Sequence, residues 1–238
     1  MRTPLTLASV VSLSALAPAS AIAQEAPTAA EQAAFAGGNK HDFHLFNPTP
    51  KSLRRPLSAD RPDLTESPYT VDAGAFQLEM SFLEYTFNDS AGVETDTYAV
   101  APLNLKAGLT NDIDIQFIWT PYIRIDSDEG DADGTGDLQL RVKINVWGND
   151  GGDTAFALLP YITLPVGDED VSSDDVEGGI VLPFALDLAA VGLDGLSFGT
   201  QIEFAFERND ADTGFDAVST CASACSYSGV RVVRKDFS

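Results

Sequence analysis

Eight ionisable residues, four of each sign, stand at alternate positions within apolar stretches: Glu79, Asp114, Asp137 and Glu203 against Lys106, Arg124, Arg141 and Lys143. Charges spaced by two along a strand share one face. A balanced charged face has two uses. Rings of charge can line a solute path and tune its selectivity. Paired off, the same charges fill that space as a salt-bridged plug. The residues leave both readings open.

Other chemistry finds weaker footing. There is no G-x-S-x-G or H-E-x-x-H motif. A Ser–His mechanism needs a His beside the strands, and the two present, His41 and His44, precede them. Two His three apart could hold a metal from a helix face, but Asp42 is the one near ligand, so they read as surface residues. The best EF-hand register starts at Glu129, runs through Asp131, Asp133 and Gly134, and puts Leu140 where a bidentate Glu is needed. No enzyme activity, metal or cofactor is expected. Cys221 and Cys225 could pair in an oxidising compartment.

The elements that must position the charges are strands. Residues 113–125, IDIQFIWTPYIRI, alternate an apolar side with a mostly polar one over thirteen positions. A tilted strand crosses a bilayer in ~9–11 residues. Residues 137–147 alternate most cleanly: Leu138, Leu140, Val142, Ile144 and Val146 against Asp137, Gln139, Arg141, Lys143 and Asn145. Further strands are expected from Gly74 to Phe87, with a β-bulge at Phe82-Leu83, and over 96–109, 154–165, 178–188 and 196–207. That makes seven, with a poor eighth near 217–227. Short turns at Thr110, Gly148 and Ala189 fall at one end; longer acidic loops near Ala91, Gly130 and Ser172 fall at the other. Outer-membrane barrels combine short periplasmic turns with longer outside loops. The expected fold class is therefore all-β, an antiparallel up-and-down transmembrane β-barrel, cut from a larger one if further strands belong to it.

Composition agrees. Net charge is −22, from 14 basic and 36 acidic residues, which argues against nucleic acid as a partner. Beyond the N-terminus no apolar run reaches the ~18 residues of a helical span. Residues 1–23 read as an export signal: Arg2, an apolar stretch from Leu5 to Ala17, and the small-x-small site Ala21-Ile22-Ala23. Residues 24–73 are expected as a periplasmic segment with a Pro-rich lead-in at one end of the barrel, 74–215 as the strands, and 216–238 as an irregular tail, truncated or frame-shifted. Pro102, Pro121, Pro160 and Pro183 sit inside strands, where they cannot donate to the ladder. Bulges near the outer rim are expected at Pro121 and Pro160.

The blocks LFNPTP, SADRPDLTESP and VDAGAFQLE, from Leu45 to Glu79, resemble the opening of a family of bacterial outer-membrane barrels. That family is labelled as transporters associated with the meta-cleavage pathway of phenol degradation. Its motif falls here on Arg61, Pro62, Asp63, Thr65, Glu66, Ser67 and Pro68. The resemblance implies an outer-membrane barrel that passes small aromatic or hydrophobic solutes. It implies outer-membrane lipid and the barrel-assembly machinery as partners, after Sec-type export in a Gram-negative bacterium. The alternatives are a plugged structural or adhesion barrel and a secreted soluble β-sandwich.

Overall fold

The structure is a computed structural model that describes residues 9–11, 40–60, 65–90, 92–173, 175–188, 196–206 and 224–227. Within them the chain is an antiparallel meander without α-helix. Thirteen strands are present: β1 (Ser9–Val11), β2 (Phe76–Met80), β3 (Leu83–Ser90), β4 (Val93–Val100), β5 (Leu103–Gly108), β6 (Ile113–Trp119), β7 (Tyr122–Ser127), β8 (Ala132–Gly134), β9 (Leu138–Trp147), β10 (Thr154–Leu164), β11 (Glu177–Asp187), β12 (Leu196–Phe206) and β13 (Ala224–Tyr227). Eight form one sheet in the order β13-β12-β11-β10-β9-β6-β5-β2; five form a second, β1-β3-β4-β7-β8.

The first three expected strands each break in two, and the breaks line up across the sheet. Met80 pairs with Leu103 and Leu83 with Val100. On the next strand Leu103 pairs with Trp119 and Val100 with Tyr122. Pro102 and Pro121 cannot donate to a ladder, and Ala101 carries φ 53°. Two backbone bonds bridge the row: Ser81 N–H to the Pro102 carbonyl at 3.1 Å, and Ala101 N–H to the Phe82 carbonyl at 3.0 Å. The slip at Phe82 is thus one end of a seam that gives the chain two sheets.

Pro160 is not in a bulge. It pairs with Ile180 in regular register, and its missing N–H falls where the β9 ladder pauses between Leu158↔Ile144 and Tyr161↔Arg141. The register shift lies elsewhere, between Phe156 and Ala157. Pro183 likewise pairs with Gln201 on β12, while the β10 ladder pauses between Phe156↔Phe184 and Leu159↔Val181. The acidic stretch 126–136 is not wholly a loop: β8 folds back on β7, with Ile123 opposite Gly134. At the end of the β3–β4 pair Ser90 stands opposite Val93.

The meander does not close among the described residues: β2 and β13 are the two edges of the larger sheet. Residues 9–11, inside the expected export signal, form β1 on β3, with Ser9 opposite Phe87. The rest of that signal, residues 24–39 and most of the 216–238 tail lie outside the described residues.

Candidate functional site: a charged face covered by an inserted segment

Strand register sorts side chains into two unlike faces. On one face the rows read Gln77↔Lys106↔Gln116↔Arg141, Glu79↔Asn104↔Ile118↔Gln139 and Gly108↔Asp114↔Lys143. On the other they read Phe76↔Ala107↔Ile115↔Val142 and Leu78↔Leu105↔Phe117↔Leu140. Burial runs opposite to that of a soluble protein, where charged residues are almost never fully buried unless paired. Asp114, Gln116 and Lys143 are 0% exposed and Lys106 2%, whereas Phe76, Leu78 and Phe82 are 68%, 63% and 65% exposed.

The polar face is covered by residues 55–60 and 65–72, two arms of one inserted segment. The Pro-rich stretch thus lies over the strands, hydrogen-bonded to Glu79, Asp114 and Asn145. Asp60 reaches Lys106 and Lys143; Lys143 Nζ donates to Asp60 Oδ2 at 3.1 Å and Oδ1 at 3.3 Å. Lys106 Nζ also lies 2.5 Å from Glu79 Oε1. The Asp60 N–H donates to Glu79 Oε2 at 3.1 Å, and the Ser67 N–H to Asp60 Oδ1 at 2.7 Å. Asp114 accepts from the Val71 N–H at 3.0 Å and from Gln116 Nε2 at 2.9 Å. Burial alone would push the Asp60 carboxyl up, but Lys143, Lys106 and the Ser67 N–H outweigh it and hold it far below the usual carboxylate range.

The strands beside the cluster make room. On β10, β11 and β12 the residues paired across that face are small, Ala155↔Ala185↔Gly199. A Cβ on Gly199 would lie 3.0 Å from Thr65 Oγ1. A Cβ on Gly108 would lie 2.0 Å from the Asp72 carbonyl oxygen, so the backbone of the segment sits directly on that glycine. Between the arms and β11–β12 lies a cavity of about 130 Å³ lined by Ser58, Thr65, Glu66, Tyr69, Ala185 and Gly199 among others.

A second clamp fixes the segment at the turn end. Arg55 donates to Asn111 Oδ1 and to Asp150 Oδ1, both at 2.9 Å, and its N–H to Asp72 Oδ2 at 2.7 Å. Lys40 Nζ lies 3.1 Å from Asp72 and 2.5 Å from Asp150. Thr70 donates to the Asn111 carbonyl at 2.9 Å and accepts from Asn149 Nδ2 at 2.8 Å. Burial opposes ionisation of Asp150, but Lys40, Asn111 and Arg55 together hold its carboxyl below the ordinary value.

The sequence-derived charges divide into groups. Glu79, Lys106, Asp114 and Lys143 meet in the buried cluster. Arg141 adjoins it, 2.5 Å from Glu66 Oε1 and 5.9 Å from the Tyr161 ring centre. Glu203 accepts from the Tyr161 hydroxyl at 2.6 Å. Arg124 stands beyond the seam on β7, paired with Asp126 at 2.7 Å and Asp131 at 3.6 Å. Asp137 is also apart from the cluster, accepting from Ser172 and Ser173 and from the Gly167 N–H. Of the motif residues, Glu66 donates its N–H to Gln201 Oε1 at 2.6 Å, Ser67 shares a 2.8 Å hydrogen bond with Ser58, and the Pro68 carbonyl accepts from Asn145. Arg61, Pro62 and Asp63 lie outside the described residues. His41 Nδ1 lies 2.9 Å from Asp112 Oδ2, and His44 accepts from the Phe46 N–H.

Sequence reasoning missed Asp60, Arg55, Asp72, Asn111 and Asn149. Asn149 stands in a turn that draws attention only to its glycines. Asp60 falls inside the SADRPDLTESP block, but nothing in its spacing points to Lys143.

A family model described as "Putative MetA-pathway of phenol degradation" matches residues 59–220. The match begins beside Asp60 and takes in the whole charged cluster. Comparison with curated proteins and with solved structures yields no match.

Proposed function

Since the chain belongs to the family of the MetA-pathway of phenol degradation, we propose that it forms an outer-membrane β-barrel that admits small aromatic or hydrophobic solutes. One observation carries the reading: buried Lys106, Lys143 and Asp114 on one face, exposed Phe76, Leu78 and Met80 on the other. Lipid is the solvent that makes such a distribution favourable, since in a barrel alternate residues face lipid and interior.

The dimensions suit the reading. β10, β11 and β12, eleven residues each, rise about 34 Å, and a tilt near 40° leaves ~26 Å, close to the ~25 Å apolar band of such barrels. Trp147 lies at the turn end of that band, and Trp119 and Tyr122 at the seam; all three are at least partly exposed, at 47%, 36% and 39%. Aromatic residues favour the two membrane interfaces. Beyond the seam, the sheet of β3, β4, β7 and β8 would project outside. There polar residues enter rows on both faces, Thr86↔Thr97↔Ile125 and Phe87↔Asp96↔Asp126.

The inserted segment favours a second reading, a barrel closed by its own plug. Single-channel recording on the purified protein in planar bilayers separates the two. Stepwise currents support solute passage, and their absence under any applied voltage leaves the structural barrel. Fractionation of a Gram-negative host tests the membrane itself. Recovery in the soluble periplasmic fraction would overturn both readings in favour of a soluble β-sandwich.

A further inference from the structure

We propose that Lys106 and Lys143 form a carboxylate-binding site on the polar face, filled by Asp60 in this structure and available to a small carboxylate-bearing solute once Asp60 is gone. The site is built by the sheet, and its occupant comes from elsewhere. Lys106 and Lys143 belong to β5 and β9, whereas Asp60 is 46 and 83 residues away in sequence, on the inserted segment. Both lysines are buried, and among the described residues Asp60 is the one carboxylate that meets both.

The alternatives within the cluster are committed. Glu79 holds Lys106 through Oε1, and its Oε2 accepts from the Asp60 N–H. Asp114 spends its two oxygens on Gln116 and the Val71 N–H. Among the described residues Asp60 is the sole ion-pair partner of Lys143 within 4.0 Å. Two ammonium groups converging on one carboxylate select a monoanion with two oxygens over a neutral or cationic molecule. A buried charge that loses its partner is strongly penalised, so the vacated site has a strong tendency to take up another carboxylate. The use of the site for solutes rests on the transport reading above; the site itself does not.

The experiment is chemical rescue. Asp60→Ala keeps the Cβ and removes a group the size of formate. The purified variant is unfolded with urea in detergent micelles, in sodium formate against sodium chloride of equal ionic strength, with formamide as the neutral isostere. At formate ten times its dissociation constant the folded-to-unfolded ratio rises about elevenfold. Chloride and formamide give no such rise. Asp60→Asn, whose side chain still fills the site, gains nothing from formate, and Asp60→Ala combined with Lys143→Gln loses the response. If Asp60→Ala does not fold unaided, refolding yield in formate against chloride is the readout, and formate raises it. Equal stability, or equal yield, in formate and chloride overturns the site and leaves the transport reading standing. Absent conductance with intact rescue does the reverse.

Discussion

Lys143→Met tests the buried cluster most directly. The side chain is 1% exposed and its ammonium donates to both oxygens of Asp60. Methionine matches the length of the lysine stem, so little cavity is left and the charge is what changes. Removing one partner of a buried pair costs ~3–5 kcal/mol, because the other charge stays buried and uncompensated. Lys106 and the Ser67 N–H still hold Asp60, which places the cost near the low end. About 3 kcal/mol lowers the folded-to-unfolded ratio more than a hundredfold. The assay is urea unfolding of the purified protein in micelles, followed by heat-modifiable gel mobility, with Asp60→Asn and the double variant completing a cycle. A loss under about 1 kcal/mol, or a gain, would refute the reasoning, since buried ion pairs replaced by apolar groups are sometimes more stable. In the cycle the double variant should be more stable than Lys143→Met alone, because it no longer buries an under-compensated carboxylate.

The outer face is tested by Val142→Arg, next in sequence to Lys143 but opposite in direction: it should cost ~2–4 kcal/mol in lipid and lower the assembled fraction seen by gel mobility. Gly108→Ala should cost ~1–3 kcal/mol or more by overpacking, because its Cβ would meet the Asp72 carbonyl oxygen at 2.0 Å; hydrogen exchange at residues 70–74 should rise with it. Acid should loosen the turn-end clamp. Asp150 is ionised more easily folded than unfolded, so its stabilisation is present above the unfolded value of 3.8 and lost as pH falls through the lower folded value. Its side chain is 40% exposed, so Asp150→Asn should cost under about 1 kcal/mol at neutral pH. The difference from wild type in urea unfolding should shrink as pH falls below 3.8. Asp60, held far lower still, should keep its contribution to more acidic pH than Asp150 does.

Alternation made the strands and their order legible, because a period of two survives whatever covers the sheet. Rows such as Asp114↔Lys143 and Gln116↔Arg141 follow once neighbouring strands are taken as a meander. The seam was half visible: Pro102, Pro121 and the slip at Phe82 were each noticeable, but their alignment depends on register between strands. Arg124 shares the parity of Asp114 and Gln116, yet lies past the seam, where the strand joins a different sheet. The inserted segment left the least trace. Its contacts join Asp60 to Lys143 and the Glu66 N–H to Gln201, 83 and 135 residues apart. Single carboxylates and backbone donors in a Pro-rich stretch have no periodicity, so sequence alone gives a Pro-rich lead-in without its partners on the strands. Balanced charge was legible; the occupant that balances it was not.

The segment also bears on how wide the proposed barrel must be. A ring of eight strands has an interior just wide enough to be filled by side chains or to hold one small ligand. Here the polar face carries two chain arms, residues 55–60 and 65–72, with backbone in contact at Gly108. Main chain needs more room than side chains, even where Ala155, Ala185 and Gly199 make space. A ring that encloses both arms therefore needs more strands than the meander from β2 to β13 supplies. An edge left open in lipid strands unpaired N–H and C=O groups at several kcal/mol each, so the proposed barrel would need those additional strands to assemble. Cys225 on β13 offers a direct test, since it pairs with outward Phe198. In an eight-stranded ring β13 would lie against β2, and a cysteine at outward Leu78 would come within disulfide reach, Cα–Cα ~4.4–6.8 Å, of one end of β13 or the other. The prediction is that Leu78→Cys, and in turn Phe76→Cys and Met80→Cys to sample the register, form no disulfide with Cys225 under mild oxidation of the assembled protein. Rapid formation by any one of the three would show that β2 and β13 are neighbours and that the arms fit inside eight strands after all.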